Sequence, residues 1–108
     1  MIVTTGNEIA GQRIVEYCGL VRGIVVRSTG IARGFIGGIR SIGGGNIPEY
    51  SVVCEEARQH AYDLMLEHAR QVEANAIIGM RYDATEFMQG ATEVLAYGTA
   101  VKIQPDAD

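Results

Sequence analysis

Residues 30–45, Gly-Ile-Ala-Arg-Gly-Phe-Ile-Gly-Gly-Ile-Arg-Ser-Ile-Gly-Gly-Gly, hold seven of the chain's fourteen glycines and no acidic residue, and they separate a β-like first half from a long helix. Phe35, Ile39 and Ile42 recur at i, i+4 and i+7, a helical stripe set in a composition that favours a loop. Interior glycines cost roughly 0.5 to 1 kcal/mol each against alanine, so Gly34, Gly37 and Gly38 give up about 2 to 3 kcal/mol of a total near 5 to 15 kcal/mol. Close packing against another backbone or chain, or a bound ligand, has to return that loss. Subunit contact is the preferred reading of the glycines, and an anion cradled by backbone amides beside Arg33 is the alternative.

The 108 residues fit a single domain, 1–108, and 47% hydrophobic with 20% charged residues is the balance of a globular chain. No basic leader opens the sequence and no apolar run approaches the roughly 18 residues that span a bilayer, so a cytoplasmic protein with no membrane partner is expected. The net charge of −4 is unevenly spread: residues 1–48 sum to +3 and residues 49–108 to −7. Arg22, Arg27, Arg33 and Arg40 form a mildly basic zone that suits an anionic ligand or the acidic half of a neighbouring copy. One lysine and 6% aromatics argue against nucleic acid as a partner. Cys18 and Cys54, 36 residues apart, match no disulfide framework or zinc motif and are expected to be two buried free thiols.

Along the chain, residues 2–5 read as a short strand and residues 13–28 as one long strand, with Gly19 and Gly23 marking bulges or bends. A short helix is expected over residues 31–42. A longer one follows from Asn46 as N-cap and Pro48 in the first turn, with Glu49 completing a capping box, and runs to about Ala74. Its apolar stripe is Ala57, Ala61, Leu64, His68 and Val72, with Val53 and Met65 at the edges. Residues 76–87 alternate Ile78, Met80 and Tyr82 against Ile77, Gly79 and Arg81. Residues 92–104 alternate Leu95, Tyr97, Val101 and Ile103 against Val94, Ala96, Gly98 and Ala100, and Gln89-Gly90 turns between these two strands. Both faces of the last strand are largely apolar, which suits cover on both sides, one of them from another subunit. The fold class is α+β: an antiparallel sheet packed with one long and one short helix.

Three separated motifs carry a resemblance. Gly44-Gly45 ahead of Pro48-Glu49-Tyr50, the run Ala74-Asn75-Ala76-Ile77-Ile78-Gly79-Met80-Arg81-Tyr82-Asp83, and Leu95-Ala96-Tyr97-Gly98-Thr99-Ala100-Val101 together resemble the YbjQ-like family across essentially the whole chain. Its members are small bacterial and archaeal proteins labelled as candidates for heavy-metal binding. The resemblance implies a dodecin-like subunit in a homo-oligomeric ring, a pentamer, with a divalent or heavy metal ion as the implied cofactor and no ligand set that transfers residue by residue. Two positions depart from the family pattern. Glu73 stands where a glycine usually ends the long helix, which leaves a left-handed cap there open, and Gly43 replaces a bulky apolar residue.

The side chains offer few chemical constellations. Glu56, His60, Asp63 and Glu67 are spaced by four, three and four residues, so one helix face could present carboxylates around an imidazole; Glu56 and His60 are the metal-ligand candidates, against the plainer reading of a solvated face. His68 lies on the apolar stripe and reads as a hydrogen-bonded interior histidine. Neither G-x-x-x-x-G-K-[ST] nor G-x-G-x-x-G occurs, and a Cys-His pair drawn from Cys18 or Cys54 with His60 or His68 lacks a local signature. The expectation is therefore a non-enzymatic module that binds a metal ion or, through Arg33, a small anion, or else a purely structural ring.

Overall fold

The computed structural model describes residues 1–28 and 48–106. The glycine-rich stretch, the short helix expected over 31–42, Asn46, Gly43 and Arg33 lie outside the described residues. Those described form β1 (Ile2–Val3), β2 (Gln12–Ser28), α1 (Pro48–Gln71), β3 (Ala76–Met88) and β4 (Ala91–Pro105). One sheet contains the strands in the order β1-β3-β4-β2. The three long strands pair antiparallel, as alternation and the Gln89-Gly90 turn require, and Gly90 takes the positive φ of 82° that the turn needs. The sheet is nevertheless mixed rather than antiparallel, because β1 runs parallel to β3. The amides of Gly79 and Met80 donate to the carbonyls of Gly6 (2.8 Å) and Thr4 (3.0 Å), and that pairing fixes the direction of the first strand.

Gly79 also resets the pattern of β3. With φ at +62° it sits in a bulge between Ile78 and Arg81, so the faces exchange there. Ile77 and Met80 consequently share the main core, while Ile78 joins a smaller cluster with Ala76, Val101 and Ile103 on the opposite face; unbroken alternation had grouped Ile78 with Met80. In β4 the alternation holds, with Val94, Ala96 and Ala100 on the helix side and Val101 and Ile103 on the other.

The helix buries Ala57, Ala61, Met65 and Ala69, a stripe repeating every four residues, and leaves Leu64 40% exposed. Ala57 and Ala61 are buried as expected, while Met65, expected at the edge, and Ala69 take the places expected for Leu64 and His68, because small side chains let the helix come closer to the sheet than leucine would. Gly23 receives it. A Cβ there would collide with the Ala61 carbonyl oxygen and lie 2.6 Å from the Met65 nitrogen. Gly23 is therefore a close-approach position, whereas Gly19, with φ at +100° beside a register shift, is the bulge that β2 was expected to contain.

The helix ends as an αL cap despite the missing glycine. Glu73 takes φ of +62°, its amide donates to the Arg70 carbonyl (3.0 Å), and the Ala74 amide donates to the Ala69 carbonyl (3.0 Å), the paired bonds of a Schellman motif. Asn75 then acts as an extra rung of sheet: its side-chain amide donates to the Ile103 carbonyl (3.0 Å) and its Oδ1 accepts from the Ile103 amide (2.8 Å).

Two substitutions follow from these contacts. Gly23→Ala should lower the stability measured by urea unfolding by about 2 kcal/mol or more, since backbone rather than a flexible side chain opposes the new methyl; a change below about 0.5 kcal/mol would contradict the packing. Glu73→Gly should raise stability by about 1 kcal/mol through relief of the left-handed conformation, and a destabilised variant would show that Glu73 makes a compensating contact.

Candidate functional site

The chemistry-bearing side chains gather where α1 crosses β2. Leu64, Glu67, His68 and Gln71 recur at i, i+3, i+4 and i+7 on one helix face and, with Arg22, Gly23 and Ile24, line an open cleft of about 420 Å³. Within it the Arg22 main-chain amide donates to His68 Nδ1 at 3.2 Å. Among the described residues β2 is an edge strand, and the imidazole supplies the acceptor for this outward-facing amide. His68 is accordingly half-buried at a cleft wall rather than interior, and its Nδ1 is committed to main chain.

Two turns earlier on the helix, exposed His60 has its Nδ1 3.5 Å from Arg27 Nη2. Glu56 is exposed one turn before it. Asp63 accepts from Gln59 (3.0 Å), and Glu67 pairs with Arg70 (3.3 Å). The face expected to carry a metal therefore uses part of its polar capacity on neighbours, and the cation beside His60 opposes a second one. Among the described residues no group of three His, Cys, Asp or Glu is placed to hold a metal ion, so those donors do not form a metal centre by themselves. Sequence reasoning does not pair Arg27 with His60, since the two come from different elements, and the His68 contact with the Arg22 main chain has no signal in the side-chain letters.

Neither cysteine is fully buried, contrary to the expectation. Cys18 is half-buried against the helix-side core, with Sγ 3.8 Å from Glu16 Oε2, and Cys54 is exposed, one turn ahead of Ala57, the first buried position of the helix stripe. Burial and then the Glu16 carboxylate push the Cys18 thiol up, with Lys102, 3.5 Å from Glu16, acting the other way. Burial raises the Tyr82 hydroxyl as well, followed by the influence of Tyr62 and Glu55 on the helix. A second cavity of about 550 Å³ lies at the other end of the sheet, floored by Ile9, Ile14 and Ile103 and rimmed by Glu8 and Asp106.

This geometry defines a small α+β class: a mixed four-strand sheet carrying, among the described residues, one helix on one face, with its polar side chains at the open edge of the sheet. The chain belongs to the YbjQ family, whose model, described as "Putative heavy-metal-binding", matches residues 1–104. It is similar to a UPF0145 protein of Legionella pneumophila strain Corby, 56% identical over 103 residues that cover 95% of this chain and 98% of that one. A UPF0145 protein of Solibacter usitatus is 53% identical over 103 residues, covering 95% and 92%. A crystal structure of a protein with unknown function from the DUF74 family of Pediococcus pentosaceus shares the fold, with a TM-score of 0.63 at 20% identity over 96% of this chain and 98% of that one. No helix among the described residues is long and apolar enough to cross a membrane.

Thiol reactivity tests the placement of the cysteines. At pH 8 a disulfide reagent should modify Cys54 at least ten-fold faster than Cys18, read from the Cys18→Ser and Cys54→Ser variants of folded protein; equal rates would show that the Cys18 surroundings are open.

Proposed function

We propose that the chain is a non-enzymatic binding module that works as a homo-oligomer, a dodecin-like ring of five, with a metal ion as ligand and its donors drawn from more than one copy. The observation that carries the assembly is the shape of a single chain. Its radius of gyration is 17.7 Å with extents of 62 × 24 × 16 Å, whereas a compact domain of this length has a radius near 13 Å. Tyr17, Leu20, Val26, Phe87 and Met88 are all more than half exposed, an apolar load that isolated soluble chains rarely carry on extended strands.

The metal half of the proposal is supported by the family's description and by Glu56 and His60, which symmetry could bring together from several copies. The two free thiols suit a reducing compartment, and the cytoplasm is the address we propose. A second reading, a small anion as ligand, is favoured by the Arg27 guanidinium standing beside His60.

Native mass spectrometry with elemental analysis of untagged protein tests the proposal. The expected result is one discrete multiple of the chain mass carrying metal in fixed ratio, with the metal lost and the assembly kept in Glu56→Gln/His60→Gln. A single chain at micromolar concentration would overturn the assembly. Metal-free protein that takes up no zinc or nickel on titration would overturn the metal reading, and uptake of inorganic phosphate in its place would establish the anion.

A further inference from the structure

The sheet leaves two open edges among the described residues, on opposite sides and at the same height. β1 accompanies β3 only as far as Met80, so residues 81–88 have no neighbour beyond β4, and every one of them is exposed. On the other side β2 is the last strand, and above the amide capped by His68 its residues 24–28 have a free outer edge. Arg27 and Glu86 both pair with Thr92, and Ile24 and Asp83 both pair with Leu95, so the two edges are level. They also run in the same direction, since each is antiparallel to β4.

Their charges are complementary. Residues 20–28 contain Arg22 and Arg27 and no acid, while residues 81–88 contain Asp83 and Glu86. The remaining cation there, Arg81, is tied to main chain, its Nη1 donating to the carbonyls of Thr5 (2.7 Å) and Met80 (2.8 Å). Faces agree as well. Arg27 lies beside His60 of the helix, and Glu86, opposite Thr92 in the row that continues through Val94 and Ala96, lies on the same helix side. An open edge presents a row of unpaired main-chain N–H and C=O groups on which another strand can pair.

We infer that residues 24–28 of β2 in one copy pair edge to edge with residues 81–88 of β3 in the next, with Arg22 and Arg27 facing the Asp83 and Glu86 side. This rests on the homo-oligomer reading and adds which surfaces meet. The edges lie on opposite sides of one subunit, so the contact is head-to-tail, and rotation about an axis along the strands closes it into a ring with a continuous sheet. The helix above β2 then also shelters the neighbour's Tyr82, which is 45% exposed in the single chain.

Charge reversal tests the pairing without fixing its register. Arg22→Glu/Arg27→Glu and Asp83→Arg/Glu86→Arg should each weaken association at least ten-fold by sedimentation velocity at low salt, and the chain with all four substitutions should regain the parent mass. Recovery in the four-fold variant shows that neither pair acts by unfolding the chain. Reversals that leave the mass unchanged would overturn the edge pairing while the homo-oligomer stands; so would failure of the four-fold variant to recover. The edge pairing falls equally if the reversals alter melting but not mass, the outcome if residues 29–47 of the same chain cover an edge. A parent chain that sediments singly would overturn both readings.

Discussion

The structure depends on the contact between the Ala61 turn of the helix and Gly23 of β2. A helix whose buried positions are Ala57, Ala61, Met65 and Ala69 can lie close to a sheet only where the sheet has no side chain in the way, and Gly23 is that place. The close approach sets the height of the helix along β2. It brings His68 to the Arg22 amide and His60 to Arg27. It also sets where the helix must stop, so that the chain can turn through Glu73 and enter β3 beside β1. The conformational cost at Glu73 is borne because two main-chain bonds and the zipper of Asn75 on Ile103 fix the turn on either side.

Much of this was readable from the letters. Strand positions, the Gln89-Gly90 hairpin and the span of the long helix followed from alternation, turn chemistry and Pro48, because those signals act within a few residues. What alternation could not supply was the exchange of faces at Gly79, since a bulge depends on the partner strand. The parallel pairing of β1 was hidden for the same reason: it rests on the carbonyls of Thr4 and Gly6, far away in sequence. On the helix, Ala57 and Ala61 were legible and Leu64 was not, because hydrophobicity favours burying Leu64, whereas contact with a glycine favours alanine. Of the candidate site, the metal candidates Glu56 and His60 are exposed on the helix, yet their surroundings could not be foreseen. The spacing of four, three and four residues says nothing of Arg27, which arrives from another element.

The motifs that identify the family mostly build the scaffold. Asn75 extends the sheet, Gly79 forms the bulge, Arg81 ties β1 to β3, and Gly98 gives way to Ile77, whose Cγ2 would lie 2.6 Å from a Cβ at that position. Function has to be sought in what the scaffold leaves unfinished. The helix covers β2 and β4 but hardly reaches β3, whose distal half is exposed on both faces and at its edge. A basic edge on one side and an acidic edge on the other give the subunit a direction, which a chain of net charge −4 would not otherwise suggest.

Amide hydrogen exchange resolved by residue and followed through dilution examines that polarity at its source. Amides in residues 24–28 and 81–88 should be protected in the assembled protein and lose protection on dilution, while those of Ala61, Met65 and Val94 remain slow at every concentration. Exchange in the two edges that is equally fast, or equally slow, across the whole range would contradict the pairing of one subunit's basic edge with the next subunit's acidic one.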